Sequence, residues 1–330
     1  MPVLGRCCLV LALLAPAPSW ALDPALEPLP WRNSGAATAG AGLPRALGAA
    51  LPTAGTTRVD LLVEIASQFT QDTERNEDVV LDAETTTLLL ALERAFAPGW
   101  SARLELPWVR HGGGILDGAI DDYHDLFGFP DGGRGAASAG NVRLAWRDGT
   151  AVPFAVTGAR DGIGDIRVGV ARALRSGPDR SLAVRIGVEL PTGDADALTG
   201  SGAADLSIGL HLSERRWLAP WGITTHLSGG LLLSGDDEVT ADAARDLAAW
   251  GSWTLARPFG ERWVLKGQLD GHTATADSAL RQIGGWSIQA ALGAAWRWSG
   301  DLALEAAFVE DLRPGSAPDI SFQLLVRGRL

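Results

Sequence analysis

The chain contains few cysteines, little positive charge and no long apolar runs. Cys7 and Cys8 are its only cysteines, and both lie near the N-terminus. Lys and Arg number 28 against 39 Asp and Glu, for a formal net charge of −11. Phosphate binding needs a basic surface, so this charge argues against a nucleic-acid partner. No run of about 18 apolar residues follows the N-terminus, so no transmembrane helix is expected.

The N-terminus has the layout of a secretory signal peptide, which we predict over residues 1–21. Arg6 supplies positive charge, an apolar stretch follows, and "PAPSWA" offers a cleavage site after Ala21. Cleavage there would remove both cysteines and exclude disulfides and a cysteine nucleophile. Residues 22–57 are rich in Pro, Ala and Gly without a clear period. We interpret them as an irregular periplasmic segment that could fold into a barrel mouth.

Alternation of apolar and polar residues dominates the rest of the chain. In "WSARLELPW", Trp100, Leu104 and Trp108 share one face while Arg103 and Glu105 take the other. The same period of two recurs in about twelve segments and predicts strands with one apolar face. Many segments reach about ten residues, which is the length a tilted strand needs to cross a bilayer.

The connections between these predicted strands alternate between short and long. The short ones are 97–99, 175–180, 214–220, 257–261 and 299–301, and the long ones are 71–82, 109–162, 191–204, 235–245, 273–284 and 313–318. Tryptophans gather near the predicted strand ends, as in the aromatic girdles of membrane barrels.

This layout predicts an all-β, up-and-down antiparallel transmembrane β-barrel over residues 58–330. Its expected location is the bacterial outer membrane, with both termini periplasmic and a long extracellular loop at 109–162. The competing fold is a soluble β-sandwich or lipocalin-like barrel, whose apolar strand faces would point inward.

Several sequence motifs resemble known outer-membrane families. "GIGD" at Gly162–Asp165, "LPTGDADALTGSGAAD" two strands later and "VEDLRPGSAPDISFQL" near the C-terminus resemble the barrels linked to phenol degradation. With "LPWRN" at Leu29–Asn33 and "GGGILDGAIDDYHDLFGFPDGGR" in the longest loop, the chain more closely resembles the uncharacterised family named domain of unknown function 3187. The resemblance covers most of the mature chain. It implies an outer-membrane barrel without an established activity, and the phenol-linked group implies passage of hydrophobic compounds.

The longest loop contains a segment, residues 111–135, with several residues capable of chemistry. Apolar residues recur at helical spacing between glycine clusters, which predicts an amphipathic helix. Asp117, Asp121 and Asp125 would stack along one face of it, where like charges repel. An arginine such as Arg134 or a divalent cation could offset this row.

Three interpretations of the 111–135 segment remain open. It could be a lid or plug helix over the barrel mouth. It could bind calcium or magnesium through Asp121, His124 and Asp125, although no EF-hand spacing is present. It could also be a hydrolytic site that uses His111 or His124. The lid or cation-site candidates are His111, Asp117, Asp121, Asp122, His124, Asp125 and Arg134.

The polar faces of the predicted strands would line the barrel lumen. We expect a network of ion pairs there, because buried charges must be paired. Small residues at many inward positions leave room for a narrow channel or ligand cavity. The lumen candidates are Arg103, Glu105, Arg167, Arg185, Glu189, His211, Lys266, Asp270 and Arg297.

These patterns favour a channel or carrier for small hydrophobic or weakly polar molecules, gated by the 111–135 loop. An outer-membrane lipid hydrolase is the alternative, and a structural or surface-interaction barrel without transport is another. The first interpretation implies no enzyme activity. It also implies no cofactor, apart from a divalent cation at Asp117, Asp121 and Asp125. The expected partners are outer-membrane lipid and lipopolysaccharide, the barrel assembly machinery and an unidentified small-molecule substrate.

Overall fold

A computed structural model describes residues 23–38, 40–114 and 140–330 of the chain. In these residues one antiparallel sheet contains fifteen strands. They are β1 (Thr57–Glu74), β2 (Glu77–Ala97), β3 (Trp100–Gly112), β4 (Arg143–Asp148), β5 (Ala151–Thr157), β6 (Arg160–Ile163), β7 (Ile166–Arg175), β8 (Arg180–Leu190), β9 (Asp205–Leu218), β10 (Ile223–Leu233), β11 (Leu247–Phe259), β12 (Trp263–His272), β13 (Ser287–Arg297), β14 (Leu302–Asp311) and β15 (Ile320–Arg329). Short helical turns lie at Pro24–Leu26, Ala219–Trp221, Ala241–Ala243 and Arg281–Gly284.

Twelve of these strands form a closed up-and-down barrel. β2 pairs with β3, β3 with β7, and β1 with β15, which closes the sheet on itself. The remaining strands, β4 to β6, lie within the connection from β3 to β7. The predicted antiparallel barrel of about twelve strands is therefore confirmed. Among the described residues, no helix is long and apolar enough to cross a membrane.

The apolar faces of the barrel strands point outward. On β9, Leu206, Ile208 and Leu210 are 41–50% exposed, whereas Asp205 and His211 are buried inside. A soluble sandwich or lipocalin-like barrel would bury the apolar face instead, so the direction of the alternation excludes that competing fold. The exposed apolar band is the surface that lipid tails would cover.

The two ends of the barrel differ in the connections they carry. We call one the short-turn end, because five brief turns lie there beside Thr57 and Leu330, whose backbones are hydrogen-bonded to each other. The other is the long-loop end. Exposed aromatic residues surround the short-turn end, including Phe96, Trp217, Trp221, Phe259, Trp263 and Trp298. Trp108 and Trp286 are exposed towards the long-loop end, which gives the two girdles that the sequence predicts.

The predicted long connection at 71–82 is wrong. β1 continues to Glu74 and β2 begins at Glu77, so only Arg75 and Asn76 form the turn, with Arg75 at φ 54°. This part of the hairpin extends beyond the apolar band, where polar residues such as Gln71 and Asp72 are accommodated on a strand. The β1 half of this extension, Gln71–Glu74, has no apolar residue and therefore no alternation that could be recognised in sequence.

The connection 109–162 contains regular structure that covers the barrel mouth. The stretches "RLAWRD" and "AVPFAVT" form a hairpin of β4 and β5, and β4 pairs with β2 along Glu77–Asp82. Its apolar side chains join those of the other long loops in one cluster, which we call the cap: Val79, Leu81, Leu144, Trp146, Phe154, Val156, Leu198, Val239, Leu280 and Ile283, with Ala36 of the N-terminal segment. Residues 115–139 lie outside the described residues, and with them the predicted helix and Asp117, Asp121, Asp122, His124, Asp125 and Arg134.

Candidate functional site in the barrel interior

Residues 23–56, which we call the interior segment, run through the inside of the barrel. The sequence indicates an irregular periplasmic segment that could reach the barrel mouth, whereas in the structure it extends along the barrel as far as the cap. Most of its residues are buried. It begins at Asp23, which pairs with Arg297 at the short-turn end, 2.5 Å apart.

The first half of the interior segment, residues 23–35, rises towards the long-loop end and is called the ascending arm. Leu29 and Trp31 pack against small inward residues of β13 and β14, among them Ala291 and Ala307. Further along, Asn33 contacts His272 through its side-chain nitrogen at 3.0 Å. Alanine at the inward positions leaves the space that the large side chains of the arm occupy.

The second half returns to the short-turn end and is called the descending arm, residues 42–56. The backbone N–H of Gly42 donates to Asp205 Oδ2 at 2.7 Å, and that of Ala49 donates to Ser213 Oγ at 2.9 Å. Between the arms, the Ala46 N–H donates to the Trp31 carbonyl oxygen at 3.1 Å. The interior segment is therefore a folded-back chain that fills the barrel over its length.

Polar side chains of the barrel bind the backbone carbonyls of the interior segment. The segment has three prolines in "DPALEPLP" and little regular structure, so its carbonyl oxygens need partners from elsewhere. The donors and their acceptors are His226 to Leu26, Lys266 to Glu27, Arg327 to Pro28, Gln268 to Leu29, Gln323 to Pro30, His211 to Leu47 and Arg185 to Gly48, at 2.8–3.3 Å except Lys266, at 2.7 Å. The histidines and cationic side chains of the lumen therefore bind the interior segment in addition to their partners on the barrel wall.

Ion pairs connect the buried charges of the barrel wall to one another and to the interior segment. Glu93 of β2 lies among three guanidinium groups, with Arg185 Nη1 at 2.8 Å, Arg58 Nη1 at 3.5 Å and Arg103 Nη1 at 3.9 Å. Arg58 continues to Glu27 on the ascending arm. Because both partners of these pairs are buried, each charge depends on its neighbours for stabilisation.

The predicted lumen residues all face the interior or its short-turn rim. Arg103 pairs with Glu105 at 2.7 Å and Arg167 pairs with Glu189. Lys266 pairs with Glu305 at 2.5 Å, and Asp270 accepts a hydrogen bond from Gln268 at 2.7 Å. Arg185, His211 and Arg297 hold the interior segment as described above. The structure therefore distributes these residues along the barrel and does not gather them into one catalytic cluster.

Sequence reasoning missed three acidic residues of this network. Asp60, Glu64 and Glu93 are each at most 1% exposed and each pairs with a cation. All three lie on the inward faces of strands that the alternation predicts. The signal was therefore present in the strand periodicity, but only the barrel brings these side chains within reach of arginines from other strands.

His111 lies at the top of β3 and is fully buried. Its Nε2 donates to the Leu198 carbonyl oxygen at 2.9 Å, and Nδ1 lies 2.9 Å from Thr85 Oγ1, which donates to it. Both ring nitrogens are thus occupied, so His111 acts as a structural link between the barrel and the loop that contains Leu198. In the described part of the chain, no three His, Cys, Asp or Glu side chains are grouped so that they could hold a metal ion.

One solved structure supports the fold, and two others are more distantly similar. The COG4313 outer membrane channel from Pseudomonas putida F1 is 13% identical, with a TM-score of 0.58 over 85% of this chain and 97% of the other. The KdgM porin is 9% identical, with a TM-score of 0.42 over 82% and 98% of the two chains. The translocator domain of the autotransporter NalP from Neisseria meningitidis is 12% identical, with a TM-score of 0.44 over 84% and 90%. No curated protein sequence matches the chain.

The family model described as "Protein of unknown function (DUF3187)" matches residues 26–329, which include both the interior segment and the barrel. The matched residues also contain the motifs on which the sequence resemblance rests, so that resemblance is confirmed. The chain therefore belongs to the DUF3187 family, and it folds as an outer-membrane-type β-barrel.

Proposed function

We propose that the protein is an outer-membrane channel or carrier for small molecules, whose pathway the interior segment closes in this conformation. The observation that carries the proposal is the polar attachment of this irregular chain inside a twelve-strand barrel. A barrel of this size encloses more space than the small barrels whose own side chains fill the interior. A purely structural barrel has no need of that space.

The way in which the interior segment is held supports a removable closure. Apolar packing of side chains such as Trp31 and Leu51 is accompanied by many hydrogen bonds and ion pairs to the wall, for example from Lys266 to the Glu27 carbonyl oxygen. Water entering the lumen could replace these polar contacts during opening. The segment is also continuous with β1 and so would remain tethered to the barrel when displaced.

We also propose that both termini face the periplasm and that the long-loop end faces outward. Bacterial outer-membrane barrels have short periplasmic turns and long extracellular loops. The cap and the 111–135 loop would then form the outer gate, and the interior segment would form the inner closure. Small hydrophobic or weakly polar molecules are the proposed substrates. The Pseudomonas putida F1 protein of similar fold is described as a channel, which agrees with a transport role.

Reconstitution of the purified protein in planar bilayers and liposomes tests this function. The wild type should show low conductance and slow liposome swelling, and deletion of residues 24–52 should raise both severalfold, because it would empty the lumen. Arg45→Glu provides a second variant, since it places like charge beside Glu64 and should loosen the descending arm without removing it. Arg216→Ala, at an exposed ion pair at the short-turn end of β9, is the control.

Heat-modifiable gel mobility would establish that each variant retains a folded barrel. If folded protein without residues 24–52 conducted no better than the wild type, the closure role would be rejected. Deletion of residues 115–135 tests the outer gate separately, because it leaves the interior segment intact. If that deletion left the conductance unchanged, the proposed gate role of the loop would be rejected, whereas the proposed channel would not.

A further inference from the structure

A small cavity remains between the descending arm and the barrel wall. Its volume is about 50 Å³, more than the roughly 10–15 Å³ that one water needs. Pro44, Arg45 and Leu47 line it from the descending arm. The wall contributes residues of β3, β7, β8, β9 and β11, among them Arg103, Glu105, Arg167, Ala171, Arg185, His211 and Trp250.

Four buried N–H-bearing atoms of the lining residues have no hydrogen-bond partner among the residues that the structure describes. They are Arg103 Nη1, Arg167 Nη1, Arg185 Nε and Trp250 Nε1. The side chains of Arg103 and Arg167 are only 8% and 10% exposed. A buried donor without a partner is costly, and native proteins satisfy nearly all such groups. Because these four donors belong to residues that line one cavity, a bound acceptor could satisfy them after small side-chain adjustments.

The remaining charges around the cavity favour an acceptor rather than a cation. Four guanidinium groups line it against a single carboxylate, that of Glu105, which already accepts from Arg103 Nε at 2.7 Å. The carboxylates that pair with the other three arginines, Glu64, Glu93 and Glu189, are not among the lining residues. A group that only accepts hydrogen bonds therefore matches this surface.

We propose that this cavity binds the carboxylate group of a small organic acid. Arginine guanidinium groups bind carboxylates with directional, charge-assisted hydrogen bonds, and the Trp250 indole adds a further donor. Pro44, Leu47 and Ala171 provide an apolar wall for the carbon part of the acid. The ligand would bridge the descending arm and the barrel, and its binding requires no transport.

The test measures binding by detergent-solubilised wild-type protein. Acetate and hexanoate are titrated calorimetrically and in thermal unfolding, against chloride at the same ionic strength. We expect both acids to bind and to raise the unfolding temperature. Tighter binding of hexanoate than of acetate would indicate that the natural ligand is an acid with an apolar chain. Equal affinities would indicate that the site recognises only the small carboxylate group.

Trp250→Phe tests the geometry without disturbing packing, because it removes only the unpartnered indole N–H and keeps an aromatic ring beside His211. Its affinity for acetate should fall about tenfold, and its stability without ligand should not fall. Trp253→Phe, on the lipid-facing side of the same strand, is the matched control and should bind as the wild type does. Arg167→Lys should also weaken binding, since lysine cannot present the planar pair of donors.

Failure of both acids to bind above the chloride reference would overturn the proposal and leave only water in the cavity. Equal affinity in the wild type and Trp250→Phe would overturn it as well, because binding would then lie elsewhere. Both results come from protein outside a membrane, so they are independent of whether the barrel conducts.

Discussion

Arg45 of the descending arm and Glu64 of β1 form an ion pair 2.8 Å long, with side chains only 3% and 1% exposed. The same guanidinium Nη1 donates to the Pro30 carbonyl oxygen of the ascending arm at 3.0 Å. One side chain thus ties both arms of the interior segment to the barrel wall. Its removal should affect the closure more than the loss of any surface charge.

Replacement of Arg45 by methionine should lower the free energy of unfolding by about 3–5 kcal/mol, because Glu64 is left as an unpaired buried charge. The double variant Arg45→Met, Glu64→Leu should recover most of that loss. Urea unfolding of detergent-solubilised protein measures both. The exposed pair of Arg216 with Asp179 is the control, and Arg216→Met should cost about 0–1 kcal/mol. Equal losses at the two arginines would contradict the structural role of Arg45.

Leu210→Arg should cost about 2–4 kcal/mol when the protein folds into lipid vesicles, because it places a charge on the lipid-facing side near the middle of β9. Leu247→Arg introduces the same charge at the first residue of β11, at the long-loop end, and should cost about 0–1 kcal/mol. Reversible unfolding from vesicles gives the comparison. A larger loss at Leu247 would mean that the apolar band is placed wrongly along the barrel axis.

Gly42→Ala should destabilise the closed conformation by about 1–3 kcal/mol through overpacking. An added Cβ would lie 2.4 Å from both Cβ and Oδ2 of Asp205, which accepts the Gly42 N–H. At Gly300 an added Cβ would meet nothing within 4 Å, so Gly300→Ala should change stability by less than about 0.5 kcal/mol. Thermal unfolding in detergent measures both. Equal stabilities would show that the descending arm can shift freely away from β9.

Trp146→Ala should loosen the cap without unfolding the barrel. Trp146 is 1% exposed, packs against Phe154 and donates to Glu77 Oε2 at 3.2 Å, so its truncation should cost the cap about 3–5 kcal/mol. Hydrogen exchange of β4 and β5 should accelerate, while the amides of β11 and β12 keep their protection. Equal acceleration in all four strands would indicate that the cap and barrel unfold as one unit.

The alternation of residue types determined most of the barrel from the sequence. An alternation with period two, as in "SLAVRIGVEL", predicts a strand with one apolar and one polar side. The apolar side of so long a strand must contact either a bilayer or a protein core. The direction of that apolar face was decided by the closed sheet, in which Leu206, Ile208 and Leu210 point outward.

The site depended far more on tertiary structure. The sequence marks Arg103, Arg185, His211 and Lys266 as inward-facing, because the strand period alone assigns a side. It does not indicate that Arg185, His211 and Lys266 bind a chain that lies inside the barrel, because such contacts join residues more than 130 positions apart. His111 is a further case, since its burial follows from the loop that delivers the Leu198 carbonyl oxygen.

By itself, therefore, the sequence determined the approximate strand positions, the residues that share each strand side and the family, all of which follow from local sequence patterns. The path of residues 23–56 was decided only by the tertiary structure. An irregular Pro- and Gly-rich segment has no period to recognise, and its position follows from the inward donors that its carbonyl oxygens meet. The arginine-lined cavity also depends on the tertiary structure. Arg45 lies beside Arg103, Arg167 and Arg185 only because the interior segment lies inside the closed barrel.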